Sequence, residues 1–315
     1  MEKVLKAAVV GIGHLGKEHA RIYKELAEQC QLLGLCDIDF SKKVQAEALG
    51  LPFFEDYKDL IGRVDAVSIA TPTSAHYSIA KEFLKAGAHT LIEKPITLRL
   101  EEAEELLELA RLHRCVLQVG HVERHNPGFK RIEEIVKNIR FFEIHRLGPF
   151  TGRINDCGVV LDLMIHDLDI VLSLVKSEIA SFDAVGINVL TPFEDIANVR
   201  IKFKNGAVAD LTASRLTFEK QRKIRIFQED AYISLDYEAQ SAKIIRKENG
   251  RIIQEVVNVE KAEPLKEEIR HFLSQIQNGK NFGCPDEAAR NALRFALDIV
   301  QAIQKNQSEA LKVPS

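Results

Sequence analysis

The chain has 315 residues, a formal net charge of −3, and 46% hydrophobic and 28% charged residues. That length allows two domains of about 100–200 residues each, and the near-neutral balance gives no electrostatic basis for a nucleic-acid or anionic-membrane partner. There is no apolar run long enough to cross a bilayer and no signal-peptide pattern. The five cysteines (Cys30, Cys36, Cys115, Cys157, Cys284) show no metal-ligand spacing and read as buried thiols of a cytoplasmic protein, with no metal site expected.

The first part of the chain alternates strand and helix signals. Strand-like runs fall at residues 7–10, 32–36, 66–70, 90–92 and 116–119, with helical patterns at 15–28, 41–49, 75–85 and 100–112. Short apolar strands separated by amphipathic helices imply an α/β fold with a doubly wound parallel sheet, covered on both faces. The alternation stops near Val119. A helix at 127–137, a strand at 140–146 and a buried helix at 160–175 come next. Strand-like runs follow at 181–190, 197–203, 207–214, 223–227, 232–236, 243–246 and 252–259, then helices at 265–277 and 286–304. Turn signals such as Lys204-Asn205-Gly206 make the second part a largely antiparallel α+β domain. The expected domains are residues 1–122 and 123–315. Lys223 and Arg225 alternate with Ile224 and Ile226, so this strand has one polar face, solvated or facing another subunit.

Gly11-Ile12-Gly13-His14-Leu15-Gly16 follows the first strand and opens the first helix. In that context the three glycines permit a tight turn, close approach to a pyrophosphate and helix–strand packing. The helix N-terminus supplies unpaired N–H groups. Asp37 ends the second strand, 21 positions after Gly16. A carboxylate there can accept from ribose hydroxyls and repels a 2′-phosphate, which favours NAD; nearby Lys42 and Lys43 pull the other way.

Thr71-Pro72-Thr73-Ser74-Ala75-His76 and Glu93-Lys94-Pro95 each follow a strand at its carboxyl end, the edge where open α/β sheets bind ligands. A lysine in a closed site can share a proton near neutral pH. Asp162 and His166 are four apart and share a face of a helix that is otherwise mostly apolar. That narrow polar stripe needs partners. Lysine, aspartate and histidine beside a dinucleotide form a proton-handling set for alcohol–ketone chemistry. A histidine satisfied inside the core by Asp162 or Asp169 is the alternative.

Taken together, the nucleotide loop, the segment ending at His76, Glu93-Lys94-Pro95, Gly120-His121-Val122-Glu123-Arg124 and Asp162-x-x-x-His166 resemble the Gfo/Idh/MocA oxidoreductase family over essentially the whole chain. The resemblance implies a Rossmann domain binding NAD, an α+β domain whose open sheet pairs subunits into dimers or tetramers, and commonly a cis proline after the lysine. It places Gly11 to Gly16, Asp37, Thr71, Pro72, His76, Glu93 and Lys94 at the cofactor. One departure is the absence of tryptophan: the segment before the aspartate–histidine helix reads Asp156-Cys157-Gly158-Val159-Val160.

The runs 119–127, 145–150 and 161–169 resemble those of the bacterial dehydrogenases of UDP-N-acetylglucosamine. These make a 3-keto sugar nucleotide on the route to a diamino sugar of lipid A. For oxidation of a secondary sugar hydroxyl, His166 is the expected general base, Lys94 hydrogen-bonds the reacting oxygen, and Asp162 orients the sugar or pairs with Lys94; the roles of Lys94 and His166 can also be exchanged. Arg124, Asn126, Arg146 and Arg153 are candidates for the nucleotide diphosphate, because arginine suits phosphate geometry. A dehydrogenase of a free sugar or inositol-like polyol, and a non-catalytic NAD-binding regulator, are the other readings.

Overall fold

A computed structural model describes residues 4–152, 156–283 and 286–310. Arg153 and Cys284 lie outside the described residues. The chain divides into two compact units, residues 1–122 with 263–290, and residues 123–262 with 291–315.

The first unit is built on strands β1 (Leu5–Val10), β2 (Cys30–Cys36), β3 (Phe53–Phe54), β4 (Ala66–Ile69), β5 (His89–Ile92) and β6 (Leu117–Val119), with helices α1 (His14–Glu25), α2 (Lys43–Ala48), α3 (Thr73–Lys85) and α4 (Leu100–Leu112) between them. The strand order is β3-β2-β1-β4-β5-β6, and every pairing is parallel. This is the doubly wound arrangement of dinucleotide-binding folds. All four residues of β4 are buried, as expected of a strand covered on both faces.

The expected second domain, residues 123–315, needs correction. Residues 263–290, which include helix α7 (Pro264–Gln277), belong to the first unit. Ile269, Phe272, Leu273 and Ile276 recur at helical spacing and enter the same core as Leu5, Tyr23, Leu32 and Val116. Each such side chain contributes about 1.5–3 kcal/mol by leaving water, enough to fix where an amphipathic helix docks. A Gln275 to Gln118 hydrogen bond of 3.0 Å and a Lys266–Glu25 ion pair of 2.6 Å lie around it.

The second unit holds α5 (Pro127–Glu133), β7 (Phe141–Leu147), a π-helical turn (Val160–Met164) running into α6 (Ile165–Leu174), and strands β8 (Ile179–Ile187), β9 (Ile196–Phe203), β10 (Val208–Ser214), β11 (Gln221–Phe227), β12 (Ala231–Asp236), β13 (Ser241–Glu248) and β14 (Arg251–Val257). Helix α8 (Glu287–Ala310) closes the described chain. The sheet order is β14-β13-β12-β11-β7-β10-β9-β8. Among the described strands of this sheet only β7 and β10 pair in parallel. Period-two alternation holds: Ile224 and Ile226 are buried. Lys223 and Arg225 point the other way, to Asp236 at 3.5 Å and Glu143 at 2.8 Å.

The helix expected over 160–175 is not continuous α. Ile165 N–H bonds back to Val160 O, an i→i+5 link that inserts a π-turn. Asp162 sits in that turn and His166 in α6, so the shared face inferred from 3.6-residue periodicity is not carried by one regular helix. The helix expected over 127–137 stops at Glu133.

Candidate active site

In the first unit the glycines from the end of β1 to the first turn of α1 have separate steric roles. Gly11 has φ +89°, and a Cβ there would lie 2.6 Å from Ala70 O. A Cβ on Gly16 would meet Gly11 O at 1.8 Å, whereas one on Gly13 would have nothing within 4 Å. The loop is therefore closed at its ends and open at Gly13, the cradle a pyrophosphate needs. Among the described residues no side chain caps α1, which leaves first-turn N–H groups for an anion. Asp37 accepts from Ile12 N at 2.7 Å and Asp39 N at 2.9 Å, which fixes its carboxylate against the loop. Lys42 and Lys43 lie 3.8 Å from Asp39 and Glu47 respectively. Thr71 Oγ1 is buried with no hydrogen-bond partner among the described residues. A cradle, a fixed carboxylate and an unsatisfied hydroxyl together fit a dinucleotide.

Glu93-Lys94-Pro95 continues from the carboxyl end of β5, and the Lys94–Pro95 bond is cis. The side chains of Glu93 and His76, expected at the cofactor, face inward instead, because buried polar groups need partners. Glu93 is 2.9 Å from His19 Nε2 on α1, and its carboxylate abuts Gly120, where a Cβ would lie 2.9 Å from Oε2. Burial raises the Glu93 carboxyl, but the hydrogen bond to His19 and the nearby positive charges outweigh it and hold the group below its ordinary value. The His76 ring bridges Pro95 O and Thr71 O at 2.9 Å each, and burial lowers its basicity. The turn carrying Lys94 is thus held from α1, from α3 and from the end of β6.

In the second unit, Asp162 is half-buried, and His166 is buried at 9% exposure. Three residues expected to hold a diphosphate make internal contacts. Arg146, 3% exposed, donates to both Asp167 oxygens at 2.8 Å and to Glu123 at 2.8 Å. Its guanidinium lies 5.6 Å from the Tyr237 ring centre. Burial pushes the Asp167 carboxyl up even against Arg146, as two carboxylates sharing one buried cation require. Asn126 caps α5 through Gly128 N and donates to Tyr237 O, both at 3.0 Å. Arg146 and Asn126 are corrected to framework residues: an enclosed side chain with its partners already in the fold does not reach for a ligand. Arg124 grips Asp169 with two hydrogen bonds, Nε to Oδ2 at 2.6 Å and Nη2 to Oδ1, and keeps 26% of its side chain exposed.

Residues 5–121 match the family described as "Oxidoreductase family, NAD-binding Rossmann fold", and residues 139–234 match "GFO/IDH/MocA C-terminal domain". The chain belongs to the Gfo/Idh/MocA family. It is an NAD-dependent oxidoreductase of that family, and the expected fold class is the observed one. It is 36% identical over 308 residues to the UDP-N-acetylglucosamine 3-dehydrogenase of Acidithiobacillus ferrooxidans, covering 95% of this chain and 97% of that one. The solved structure of that enzyme superposes with a TM-score of 0.90, covering 96% and 99% of the two chains. The scyllo-inositol 2-dehydrogenase (NAD(+)) of Bacillus subtilis is 32% identical over 234 residues, 68% of each chain.

Two sets of buried polar residues lie outside the motifs of the Gfo/Idh/MocA family. His19 lies on the inward face of α1 with Gly16, Ala20 and Tyr23; a polar residue at an apolar position was the signal. Glu194, Asp195 and Arg215 are each at most 6% exposed, and nothing in their spacing announces that they meet.

Proposed function

We propose that the protein oxidises a secondary hydroxyl of a sugar nucleotide to a ketone, the 3-hydroxyl of UDP-N-acetylglucosamine. The observation that carries this reading is the 36% identity to the A. ferrooxidans enzyme along nearly the full length of both chains. His166 takes the hydroxyl proton, Lys94 donates a hydrogen bond to the reacting oxygen, and Asp162 orients the sugar. Bound NAD supplies the acceptor for the hydrogen leaving carbon. Gly11, Ile12, Gly13, His14, Leu15 and Gly16 hold the pyrophosphate, Asp37 the ribose, and Thr71, Pro72 and Lys94 line the nicotinamide side. Arg124 and Arg153 are the proposed diphosphate contacts. Binding energy from the diphosphate, remote from the reacting carbon, serves to orient it.

The 3-keto product suits a transaminase that makes a diamino sugar for lipid A, in the cytoplasm. The test is NADH formation with a downstream transaminase and its amino donor. Signal with UDP-N-acetylglucosamine and none with free N-acetylglucosamine supports the proposal. Faster turnover of inositol or another free polyol moves the protein to the second reading, which the 32% identity to the scyllo-inositol enzyme favours.

We also propose a homodimer or homotetramer. The outer face of the second sheet exposes Val185 and Ile187 on β8 and Ile252 and Val256 on β14 at 54–74%, and these are the two edge strands of the sheet, where a sheet can pair with another chain. Light scattering at the mass of one 35.5 kDa chain would contradict it.

A further inference from the structure

The π-turn that carries Asp162 begins beside a buried acidic side chain which the reading above does not use. Glu194, in the connection between β8 and β9, is 6% exposed. Its Oε1 accepts from Val160 N at 3.1 Å, and its main-chain oxygen accepts from Val159 N at 3.0 Å. These are two of the N–H groups that a helix start leaves without an internal partner. Gly158, the residue before them, has no room for a side chain: a Cβ would lie 2.1 Å from Glu194 Cδ and Oε1. Gly158 O in turn accepts from Asp162 N at 3.0 Å.

The connection bearing Glu194 is itself fixed. Asp195 Oδ2 accepts from Val189, Leu190 and Thr191 N at 2.7, 2.6 and 3.0 Å. Arg215 donates from Nε to Asp195 at 2.7 Å and from Nη1 to Cys157 O at 3.3 Å. Residues 157–160 are therefore held by Arg215 at Cys157 and by Glu194 at Val159 and Val160.

We propose that Glu194 is a positioning residue for the reaction: by accepting from Val159 and Val160 and packing on Gly158, it sets where the π-turn presents Asp162. This rests on the assignment of Asp162 to the site. It acts through an oxygen acceptor and a shape, with no need for a negative charge. Burial pushes the Glu194 carboxyl above its ordinary value. A glutamine keeps the accepting oxygen and the length; an alanine removes both.

The test compares Glu194→Gln, Glu194→Ala, Gly158→Ala and the double variant Gly158→Ala/Glu194→Ala in the full-length protein. Turnover is read with UDP-N-acetylglucosamine or whichever sugar or polyol on the panel reduces NAD. Glu194→Ala is expected to lower kcat by about 10- to 100-fold, the scale on which a small misplacement of a reacting group acts, with the KM for NAD unchanged. Glu194→Gln should stay near wild type. The double variant should be faster than Gly158→Ala alone, because the collision is gone. Amide exchange over residues 158–162, followed by mass spectrometry without substrate, should quicken in Glu194→Ala and not in Glu194→Gln.

A Glu194→Ala protein that unfolds earlier but keeps wild-type kcat per bound NAD overturns the proposal. So does unchanged exchange, or a Glu194→Gln variant as slow as the alanine. Asp162→Asn is measured in parallel. If it keeps full turnover, the assignment of Asp162 fails and the positioning role with it, while the exchange data still decide separately whether Glu194 fixes the turn.

Discussion

Lys94 and His166 are proposed to handle one proton between them, so each should matter to chemistry more than to folding. Lys94→Ala and His166→Ala are expected to lower kcat by ~10²-fold or more, the usual effect of removing a positioned acid–base group. NAD titration and thermal unfolding should stay near wild type. Full turnover in a less stable His166→Ala protein would make His166 a core histidine. Asp37→Ala should narrow the preference for NAD over NADP, read as the ratio of their dissociation constants. Tighter NADP binding by wild type would mean that Lys42 or Lys43 sets the choice.

Asp195 gives a pH dependence. Burial raises its carboxyl, but the N–H groups of Leu190 and Val189 and the Arg215 side chain outweigh this and leave it well below its ordinary value. A depressed folded-state pKa contributes stability that is complete above the unfolded value of about 3.9 and is lost as pH falls below it. Wild-type melting temperature should therefore drop through that acid range more steeply than that of Asp195→Asn. At this scale the sequence was legible where a residue type and a motif coincide, as at Gly11 to Gly16, Asp37 and Lys94. It was not legible where a partner is remote in the chain. The separation of 74 residues from His19 to Glu93 carries no pattern that predicts their contact, and Arg146 looked like a ligand-binding arginine because Glu123 and Asp167 meet it only in the fold.

Among the elements, Arg146 ties β7 to α6 and to the segment before α5. Removing one partner of a buried ion network leaves uncompensated charge, so Arg146→Ala should cost about 3–5 kcal/mol in chemical denaturation. A loss below 1 kcal/mol would mean that water replaces it. Phe272 of α7 is fully buried, and Phe272→Ala should cost about 3–5 kcal/mol, as large-to-small core changes do. Strands and long helices were legible because alternation and amphipathic spacing report burial directly. The π-turn was not: one i→i+5 hydrogen bond leaves the apolar pattern of 160–175 almost unchanged while rotating Asp162 relative to His166. The same apolar pattern also gave no sign that α7 packs with the first unit, since periodicity shows that a face is buried but not what covers it.

For the whole molecule, the number and type of the two sheets followed from the alternation of signals, and the family from the motifs they carry. Chain order did not map onto compact units, because the first unit takes its last helix from residues 264–277. That discontinuity has a consequence during synthesis. The six strands of the first sheet have all left the ribosome once Val119 has emerged, yet the surface meant for Ile269, Phe272, Leu273 and Ile276 is still bare. At about 5–20 residues per second, α7 follows on the order of ten seconds later. Throughout that interval a nearly finished nucleotide-binding half carries an open apolar patch while the eight-stranded sheet is still being made. The last piece of the first unit thus arrives only after the strands of the second, and a nascent chain halted near residue 262 should bind chaperones more strongly than one released at full length.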